Sequence, residues 1–550
     1  MPKTVFLLLC LALGSLACSH GKDPASPAVL RTLTVNLGAG VTGNPAATAS
    51  YPAGSSVSYA FAPQPGYWNL QVTLNGRPVP NPGTVIMGSA QAQAQALAVS
   101  AAPLPDAATD ILAILRGVAG VSEASEGTAT VAGTRFFNIT FTQPVDHHAF
   151  SGASFPQSLT LLYRSRLAPM VLSTAGYSIP RTSSQGEPTR LLQANQLYVE
   201  HRFFSTSTPS PMDWTKLDIF QAAHDEHRVV QAFKPLFAGK WLSTGGSKGG
   251  MTATYHRRFF PEDVDATLAY VAPQSYGDTD SRYIPFLQAR GGAANRAAIE
   301  AWQQAVLDHR EQVRALFEAD ASNRHETLDL LGSDKALELA VLEAPFTLWQ
   351  FGDSTLATTV PASTAPAADL YAFLDASSFG VVKAWGDRTL LYFQPYYFQA
   401  ATQLGYPATK DSHLKGLKYP GADAARTFPP IGIPKVFDSA AMLDVQAWVS
   451  NQATRMMFIY GENDPYTAAA FVLGSAAQAR DNHLYIVPGG NHGARLATLP
   501  DPQRTEAYVL LSGWMGVTVQ PERIQARTAT AQPPLIDANE TFLDLHRLQR

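Results

Sequence analysis

The sequence predicts an α/β chain in which a small all-β module precedes a larger domain built on a parallel sheet. Between residues 31 and 100, short stretches alternate apolar and polar residues, which is typical of half-buried strands. From residue 106 onwards, continuous apolar runs alternate with segments of helical periodicity, which indicates a parallel sheet covered on both faces. With 550 residues, 46% of them hydrophobic, the chain is long enough for each part to have its own core.

The all-β module is predicted from three alternating runs bounded by Gly, Pro and Asn. These runs are 33–37, 57–61 and 70–74, and Asn75-Gly76 directly after the third is a favoured two-residue hairpin turn. The segment that contains GAGVTGNPAATASYPAGSSVSYAFAP resembles the β-repeat modules of bacterial surface proteins, which act as spacers or adhesion units. Because the sequence of the module has no clustered acids, histidines or cysteines, we expect a spacer.

The amino terminus has the layout of a secretory signal. Lys3 precedes an apolar run, 5–16, that is too short to span a membrane. We therefore expect residues 1–18 to be a signal peptide and the mature bacterial protein to be exported. The chain has two cysteines, Cys10 and Cys18, and both lie in this segment, so no disulfide is expected within the mature protein.

Cys18 is also a candidate site of lipidation. It follows LGSLA, which resembles a bacterial lipoprotein signal whose cysteine becomes the lipidated first residue, although Ser15 stands where leucine is usual. Ordinary cleavage near Ala17 is the alternative, so the protein is expected to be either secreted or attached to the cell envelope through a lipid on Cys18. Residues 19–30 are short, small and polar, and are predicted to be a tether.

The charge balance gives no reason to expect nucleic acid as a partner. The chain has 40 Lys and Arg against 44 Asp and Glu, a formal net charge of -4, and no basic run stands out. Small or neutral molecules are the better default, and the sequence predicts no metal site.

The larger domain, 106–550, is predicted from apolar runs that suit buried strands. The runs are 159–163, 170–173, 196–199, 241–243, 456–460 and 484–487. Residues 217–233 and 251–259 have helical spacing and separate some of these runs, as strand–helix alternation requires.

The alternation stops between about residues 276 and 430. This part contains two long helical patterns, 295–320 and 328–341, and a segment dense in aromatic residues at 392–398. We interpret it as a helical cap inserted into the sheet, after which the chain returns to form the last strands.

The sequence GGSKG at 245–249 fits the pattern G-x-S-x-G, directly after a predicted strand and before a predicted helix. In α/β-hydrolases this turn presents a nucleophilic serine, which here is Ser247. The fold class expected is therefore an α/β-hydrolase core with a helical cap. The alternative for the turn alone is an ordinary serine between glycines.

A nucleophilic serine needs an imidazole and an orienting carboxylate, which follow it in the order acid, then histidine, in α/β-hydrolases. The acid lies in YGENDP, where Asp464 is favoured over the neighbouring Glu462 because Gly461 and Pro465 constrain the turn. The histidine is His492 in PGGNHG, after the next predicted strand. Each motif follows a strand, and the three come in the required order.

Two backbone N–H groups must stabilise the oxyanion that forms during attack. The first is expected from Lys248, directly after the nucleophile, and the second from the loop STAGY that follows the strand at 170–172. In that loop the amide of Tyr177 is favoured over that of Gly176.

Several segments together resemble one known family. They are QPVDHHAF at 143–150, TAGYS at 174–178, VEHRFFSTSTP at 199–209, DWTKLDIFQAAHDEH at 213–227, WLSTGGSKGGMTATYHRRFFPEDVD at 241–265 and YGENDPY at 460–466. They are similar to the bacterial secreted tripeptidyl-aminopeptidase family of serine peptidases, which is related to prolyl carboxypeptidase and dipeptidyl-peptidase II.

The resemblance implies an α/β-hydrolase core with a helical cap, no cofactor, and exopeptidase activity. Peptides are the implied substrates, and tripeptides or dipeptides would leave from a free amino terminus. By motif, the implied triad is Ser247, Asp464 and His492, as inferred from the residues themselves. Departures from the family pattern are Ser158, where relatives tend to have arginine, and Tyr466, where tryptophan is frequent. Both concern the pocket and leave the triad intact.

An exopeptidase of this kind also needs an acid for the substrate's ammonium group. Glu200 and Glu462 are the two candidates. Glu200, His201 and Arg202 match a family segment, for which a buried ion-pair network is the alternative to a direct role.

Aromatic residues of the cap are expected to form substrate subsites, with the core of the cap as the alternative. They are Trp349, Phe351, Tyr396 and Tyr397. Two competing functions remain open: an esterase or lipase that uses the same triad, and a surface-binding protein whose β-module adheres while its hydrolase domain is inactive.

Overall fold

A computed structural model describes residues 29–79, 81–88, 94–106, 109–148, 152–352, 356–378 and 380–523. The predicted signal peptide, Cys18 and residues 19–28 of the tether lie outside these ranges, so their assignments stay predictions. Within the described residues the chain divides into two compact units, one of residues 29–64 and 70–101, the other of 65–69 and 102–523.

The first unit is an all-β module. Its strands are β1 (Leu30–Leu37), β2 (Val41–Asn44), β3 (Ala49–Pro52), β4 (Ser56–Pro63), β5 (Tyr67–Leu74), β6 (Arg77–Pro78), β7 (Gly83–Ile86) and β8 (Gln95–Pro103). They form a five-stranded sheet, in the order β3-β1-β8-β5-β6, and a three-stranded sheet, β2-β4-β7. Alternate residues of the strands, such as Leu33, Val57 and Leu97, are buried in the hydrophobic core of the module.

The predicted hairpin turn is confirmed. β5 and β6 pair antiparallel with Leu74 opposite Arg77, so the turn contains two residues. Asn75 and Gly76 have φ of 53° and 78°, the positive values that a two-residue turn of type I′ needs at both positions. Leu30, which the sequence pattern places in the tether, begins β1.

The second unit is built on a nine-stranded sheet. Its strands are β9 (Val121–Gly127), β10 (Arg135–Pro144), β11 (Ser154–Tyr163), β12 (Met170–Thr174), β13 (Asn195–Val199), β14 (Trp241–Gly246), β15 (Ala266–Tyr270), β16 (Met456–Gly461) and β17 (His483–Val487). Their order is β17-β16-β15-β14-β12-β13-β11-β10-β9. From β13 to β17 all neighbours are parallel.

The predicted parallel sheet is confirmed from β13 to β17, but one edge of the sheet is antiparallel. The pairs β9–β10, β10–β11 and β11–β13 are antiparallel. One reason lies in the connections, because the short link between β10 and β11 permits only antiparallel pairing, whereas parallel strands need a long crossover. Counted from β10, the second strand, β11, is antiparallel, and the third and fourth positions in the sheet are taken by β13 and β12, in reverse of their order in the chain. This is the strand order of an α/β-hydrolase sheet.

Helices cover the sheet and form the insertion. They are α1 (Ile111–Arg116), α2 (Glu187–Leu192), α3 (Ile219–Phe233), α4 (Lys248–Phe259), α5 (Tyr283–Gln288), α6 (Gly292–Asp308), α7 (Arg310–Asn323), α8 (Ser333–Phe351), α9 (Ala367–Ser377), α10 (Val381–Trp385), α11 (Asp387–Tyr392), α12 (Gln394–Gln399), α13 (Ser439–Asn451) and α14 (Gln503–Met515). In the described part of the chain, none of them combines the length and the apolar character that crossing a membrane requires.

Both faces of the sheet are covered, as predicted, because successive residues of a strand point to opposite sides. Met170 and Leu172 pack with α1 and α3, whereas Val171 between them packs with α2 and α14. In β16, Phe458 packs with α4 and α13 and its neighbour Ile459 with α14. The continuous apolar runs in the sequence reflect this burial on two sides.

Eight helices, α5 to α12, lie between β15 and α13 in the range predicted for the cap. The predicted helical pattern at 295–320 is two helices, because the backbone breaks at His309 (φ -97°, ψ 21°) between α6 and α7.

Helix α8 has Pro345 in its interior, and because proline has no N–H, the carbonyl of Val341 lacks its usual hydrogen-bond donor within the helix. The side chain of Gln303 donates to that carbonyl at 2.7 Å, so α8 continues to Phe351.

Candidate active site

Ser247 occupies the turn between β14 and α4. Its backbone has φ 52° and ψ -122°, a conformation that a non-glycine residue rarely adopts. The N–H of Ser247 donates to the carbonyl of Tyr270 in the neighbouring strand β15 at 2.9 Å, which holds the turn in place. The side chain of Ser247 therefore projects from a fixed, strained backbone, and it lines a cavity.

Three glycines permit the close packing around this turn. A Cβ on Gly245 would lie 2.4 Å from the carbonyl group of Gly249, and one on Gly249 would lie 2.6 Å from the carbonyl oxygen of Thr174. A Cβ on Gly176 would lie 2.7 Å from Cβ of Lys248. Side chains at these positions would push β12, β14 and α4 apart, which explains the glycine spacing of the motif.

Asp464 and His492 are in direct contact. Oδ2 of Asp464 lies 2.7 Å from Nδ1 of His492, while Oδ1 accepts a hydrogen bond from the N–H of Tyr466 at 3.1 Å. Asp464 follows β16 and His492 follows β17, and these strands are parallel neighbours. Their carboxyl ends therefore bring together two residues that are 28 positions apart in the sequence.

Helix α8 and a tyrosine hold His492 on its other sides. Its backbone N–H donates to the carbonyl of Gln350 at 2.9 Å. The rings of Phe351 and Tyr466 lie 5.6 Å and 5.1 Å from the imidazole, measured between centroids. With 3% of its surface exposed, His492 has little freedom to rotate.

One cavity of about 210 Å³ contains both Ser247 and His492 in its wall. Helix α8 contributes one face of it, with residues spaced by three and four positions: Glu343, Phe346, Thr347, Gln350 and Phe351. Five tyrosines complete much of the wall: Tyr177, Tyr396, Tyr397, Tyr406 and Tyr466. Ser247 also lines a smaller adjoining recess whose apolar wall includes Met251, Pro273 and Leu404.

Tyr177 and Lys248 meet beside Ser247. Lys248 is the first residue of α4, where backbone N–H groups have no acceptor within the helix. Its buried Nζ donates to the carbonyl of Gly176 at 2.7 Å, and burial lowers the pKa of this ammonium group well below its usual value. The carbonyl of Tyr177 accepts from the N–H of His201 at 3.0 Å. Both ends of the Gly176–Tyr177 segment are thus fixed.

The two acids expected to bind substrate are elsewhere. Glu200 is buried, where Ser207 Oγ donates to it at 2.6 Å, and burial raises its pKa to about 7. Glu462 is exposed and accepts from the N–H of Gly489 at 2.8 Å. Neither glutamate is among the described residues that line the cavity beside Ser247.

Glu343 is the carboxylate that sequence analysis missed. It is the one acid among the described residues of the cavity wall, and Tyr406 donates to its Oε1 at 3.0 Å. Burial raises the pKa of Glu343 to about 7, against the effect of that hydrogen bond. Its place on α8, three positions before Phe346 and seven before Gln350, could have suggested a shared face with residues near the site.

The segment Glu200-His201-Arg202 divides between two environments. Arg202 forms a buried two-point ion pair with Asp225, at 2.6 and 2.7 Å, and His147 contacts the same carboxylate at 2.8 Å. The expected ion-pair network therefore exists for Arg202, but Glu200 forms no ion pair with a described residue. His201 lies between them, buried, with Nε2 3.2 Å from the hydroxyl of Tyr255.

Three of the four cap aromatics expected to form subsites line the cavity. They are Phe351, Tyr396 and Tyr397. Trp349 instead packs in the core of the cap and lines a second cavity, which shares Phe346 and Thr409 with the wall of the first. Within the described ranges, no group of three or more His, Cys, Asp or Glu side chains is placed to hold a metal ion.

Comparison with known sequences gives two matches of high coverage. Residues 104–549 match the model of the family described as PS-10 peptidase S37. The chain is also 41% identical, over 455 residues, to the prolyl tri/tetrapeptidyl aminopeptidase of Streptomyces mobaraensis. That alignment covers 82% of this chain and 92% of the relative.

Solved structures resemble the chain more distantly. The proline iminopeptidase-related protein of Thermus thermophilus is 11% identical, with a TM-score of 0.27, and the match covers 72% of this chain and 98% of that one. The cell wall degrading esterase LipA of Xanthomonas oryzae is 12% identical, with a TM-score of 0.29, over 71% of this chain and 96% of that one. Both likenesses are too distant to bear on function.

Proposed function

The chain belongs to the PS-10 peptidase S37 family and is a serine peptidase, and from this premise we propose that it removes short peptides from the free amino terminus of its substrates. Ser247, Asp464 and His492 would form the catalytic triad. The observation that carries the proposal is the 2.7 Å contact between Asp464 and His492, beside a cavity that also contains the strained Ser247.

Attack would begin with transfer of the Ser247 hydroxyl proton to Nε2 of His492, as Oγ bonds to the carbonyl carbon of the scissile peptide. Asp464 would hold the proton of the neutral imidazole on Nδ1, which leaves Nε2 able to accept. The imidazolium then gives its proton to the departing amine, and an acyl-enzyme remains on Ser247. Water, deprotonated by His492, releases the short peptide and restores the serine.

The oxyanion of the tetrahedral intermediate would be held by the backbone N–H groups of Lys248 and Tyr177. Support comes from the position of Lys248 at the start of α4, where the helix dipole favours negative charge, and from the close contact of Gly176 with that helix end. The tight fit leaves little room for this loop to move away during the reaction.

We propose that the enzyme releases tripeptides and that it favours proline as the last residue of the released peptide. Support comes from the name of the relative from Streptomyces mobaraensis, a prolyl tri/tetrapeptidyl aminopeptidase. The recess beside Ser247 has an apolar wall that includes Met251, Pro273 and Leu404, which suits the ring of a proline in polarity, but at about 10 Å³ the recess must widen to admit it. The tyrosines of the larger cavity supply flat apolar surface for the residues that precede it.

We also propose that the protein is exported, with Cys18 lipidated and the all-β module serving as a spacer. Support comes from Lys3 and the apolar run at 5–16, and from the lipoprotein-like segment before Cys18. Mass spectrometry of the mature amino terminus in a bacterial host would test this. A terminus at Cys18 with an added lipid mass is expected, and an unmodified terminus would contradict the lipid anchor.

The test of activity compares wild type and Ser247→Ala on three substrates. These are a tripeptide p-nitroanilide with a free amine, the same compound N-acetylated, and a short acyl p-nitrophenyl ester. We expect wild type to prefer the free-amine peptide and Ser247→Ala to lose at least about 1,000-fold in kcat on it. Ester turnover without peptide turnover would favour the esterase alternative, and no turnover of any substrate would favour the binding protein.

A further inference from the structure

We propose that the carboxylate of Glu343 binds the α-ammonium group of the substrate, and that its position on α8 sets the released peptide at about three residues. This inference rests on the aminopeptidase function proposed above. An enzyme that acts near a free amino terminus must take an ammonium group out of water, which is costly unless an anion is present to pair with it.

Glu343 is available to such an ammonium group because it faces the same cavity as Ser247. No other carboxylate is among the described residues of that wall. Glu343, Phe346 and Gln350 follow one another at helical spacing along α8, so the acid belongs to a continuous face that leads to the candidate triad.

The carboxylate has unused capacity to accept hydrogen bonds. Tyr406 donates to Oε1, and among the described residues this is the one side chain that donates to the carboxylate of Glu343. An ionised carboxylate has about four acceptor positions, so room remains for two or three N–H donors of an ammonium group. Burial raises the pKa of Glu343 to about 7, as is typical of a carboxylate with no cation paired to it, and an arriving ammonium group would stabilise its charged form.

The other charges near Glu343 leave it the best site for a cation. Asp423 adds negative potential, and it accepts from the hydroxyl of Thr409, a residue of the cavity wall. Lys383 also lines the cavity, but Asp423 rather than Lys383 is the charged group that shifts the pKa of Glu343. A substrate ammonium would therefore find a carboxylate that a protein cation has not already neutralised.

The spacing along α8 gives the length of the peptide. The carbonyl of Gln350 accepts the N–H of His492, so Gln350 marks the position of the candidate base. Glu343 precedes Gln350 by seven residues, which is about 10 Å along the helix axis at about 1.5 Å per residue. Three residues of an extended peptide also span about 10 Å. A carboxylate at this position would suit a substrate with three residues before the scissile bond.

The cavity wall near Glu343 also favours certain side chains in the three residues that precede the scissile bond. Phe346 lies one turn along α8, and Tyr396 and Tyr397 lie on α12 in the same wall. These rings favour apolar side chains in the released peptide, because they offer few partners to a second charge.

The test uses the full-length protein and a nested series of p-nitroanilides with one to four residues, each with its amine free or acetylated. We expect wild type to prefer the free three-residue compound. Glu343→Gln should lower kcat/KM on that compound about 100-fold, mainly through KM, since the lost contact is a buried charge pair. The same variant should leave the acetylated compound unchanged and should reduce the preference for three residues.

Three controls separate a binding role from a defect in folding. Glu343→Asp keeps the charge and should recover part of the lost kcat/KM. Glu311→Gln removes an exposed charge elsewhere in the helical insertion and should behave as wild type. The rate at which a small sulfonyl fluoride labels Ser247 should be equal in all variants, because it does not depend on the substrate amine.

The outcomes distinguish this inference from the proposed function. If wild type cleaves free-amine peptides and Glu343→Gln keeps the same ratio of free to acetylated rates and the same length preference, the role of Glu343 is overturned and the aminopeptidase function stands. If wild type cleaves no free-amine peptide of the series, the aminopeptidase function fails, and the role of Glu343 fails with it.

Discussion

Oδ2 of Asp464 lies 2.7 Å from Nδ1 of His492, and the two residues expose only 0% and 3% of their surface to solvent. The second oxygen of Asp464 accepts the N–H of Tyr466, so the carboxylate is held at both oxygens. A buried carboxylate fixed in this way keeps the imidazole in one orientation and one tautomer. Asp464 would therefore act through His492 without touching the substrate.

Asp464→Asn is expected to lower kcat by about 10,000-fold with little change in thermal stability. The amide can still accept from Tyr466, but it favours the wrong tautomer of His492, so Nε2 would no longer accept the serine proton. Steady-state kinetics on a free-amine tripeptide anilide, with melting temperature measured in parallel, would check this. Asp444→Asn removes an exposed carboxylate that pairs with Arg258 and should leave kcat unchanged. A kcat for Asp464→Asn within about threefold of wild type would contradict the assignment.

The side chain of Lys248 is expected to position the oxyanion site. Its Nζ donates to the carbonyl of Gly176, and in a planar trans peptide the N–H of Tyr177 points the opposite way from that carbonyl. Lys248→Met keeps the length of the side chain and the backbone N–H of residue 248. We expect kcat to fall at least about tenfold, towards the roughly 100- to 1,000-fold loss of a whole oxyanion donor, with KM nearly unchanged.

Lys234→Met is the matched control for that variant. Lys234 also donates through Nζ to backbone carbonyls, those of Glu262 and Asp263, but it is not among the residues that line the cavity beside Ser247. It should lose a similar contact and keep its kcat. Equal effects of the two substitutions on kcat would mean that Lys248 has only a structural role.

Much of the candidate site could be predicted because its residues follow strands. Ser247, Asp464 and His492 each come directly after an apolar run, and parallel strands bring their carboxyl ends to one edge. Their catalytic roles stay predictions until variants are measured. Glu343 could not be found in this way, because it lies within a helix of the insertion and meets the cavity only after that helix has packed beside the loops that follow β16 and β17.

Helical geometry explains why Trp349 and Phe351 could not both line the cavity. Two positions along an α-helix are about 200° apart, so residues with this spacing face opposite sides. Phe351 faces the candidate site, and Trp349 faces the core of the insertion. Strand β15 was missed because its five residues, ATLAY, include few with strong strand preference and lack alternation.

Asp225→Asn is expected to destabilise the fold by about 3–5 kcal/mol. Asp225 and Arg202 form a buried pair whose side chains are 2% and 0% exposed, and removal of the carboxylate charge leaves the guanidinium unpaired. Denaturation in urea at pH 7 would measure the loss. Asp444→Asn breaks an exposed ion pair and should cost no more than about 1 kcal/mol. A loss for Asp225→Asn of the same small size would contradict the account.

The ion pair of Asp225 with Arg202 also predicts how the difference in stability between wild type and Asp225→Asn depends on pH. Burial opposes the charge of Asp225, but Arg202 and His147 hold its pKa at about 2, below its value in the unfolded chain. A carboxyl group with a lowered folded pKa stabilises the fold above its unfolded pKa, and this stabilisation is lost as the pH falls. The difference between wild type and Asp225→Asn should therefore be full above about pH 4 and should shrink from about pH 4 towards about pH 2.

Binding of the substrate amine should depend on pH through Glu343. The titratable groups around it are Tyr396, Tyr397, Tyr406, Asp423 and Lys383. Burial raises the pKa of each of the three tyrosines above its usual value, so they stay neutral near pH 7. Burial lowers the pKa of Lys383, with a smaller contribution from Arg324. Glu343, whose pKa burial raises to about 7, is therefore the group of this cluster expected to titrate between about pH 5 and 7.

The measurement divides kcat/KM for a free-amine tripeptide anilide by the rate at which a neutral sulfonyl fluoride labels Ser247. Both rates depend on the reactivity of Ser247, so the ratio isolates binding of the amine. An ammonium group binds the carboxylate form, so the ratio should fall roughly tenfold for each pH unit below about 7. Above about pH 8 it should fall again, because the substrate amine loses its own proton and with it the charge that pairs with the carboxylate. In Glu343→Gln the acid side should be flat, and a wild-type ratio that is equally flat from about pH 5 to 7 would show that the amine binds elsewhere.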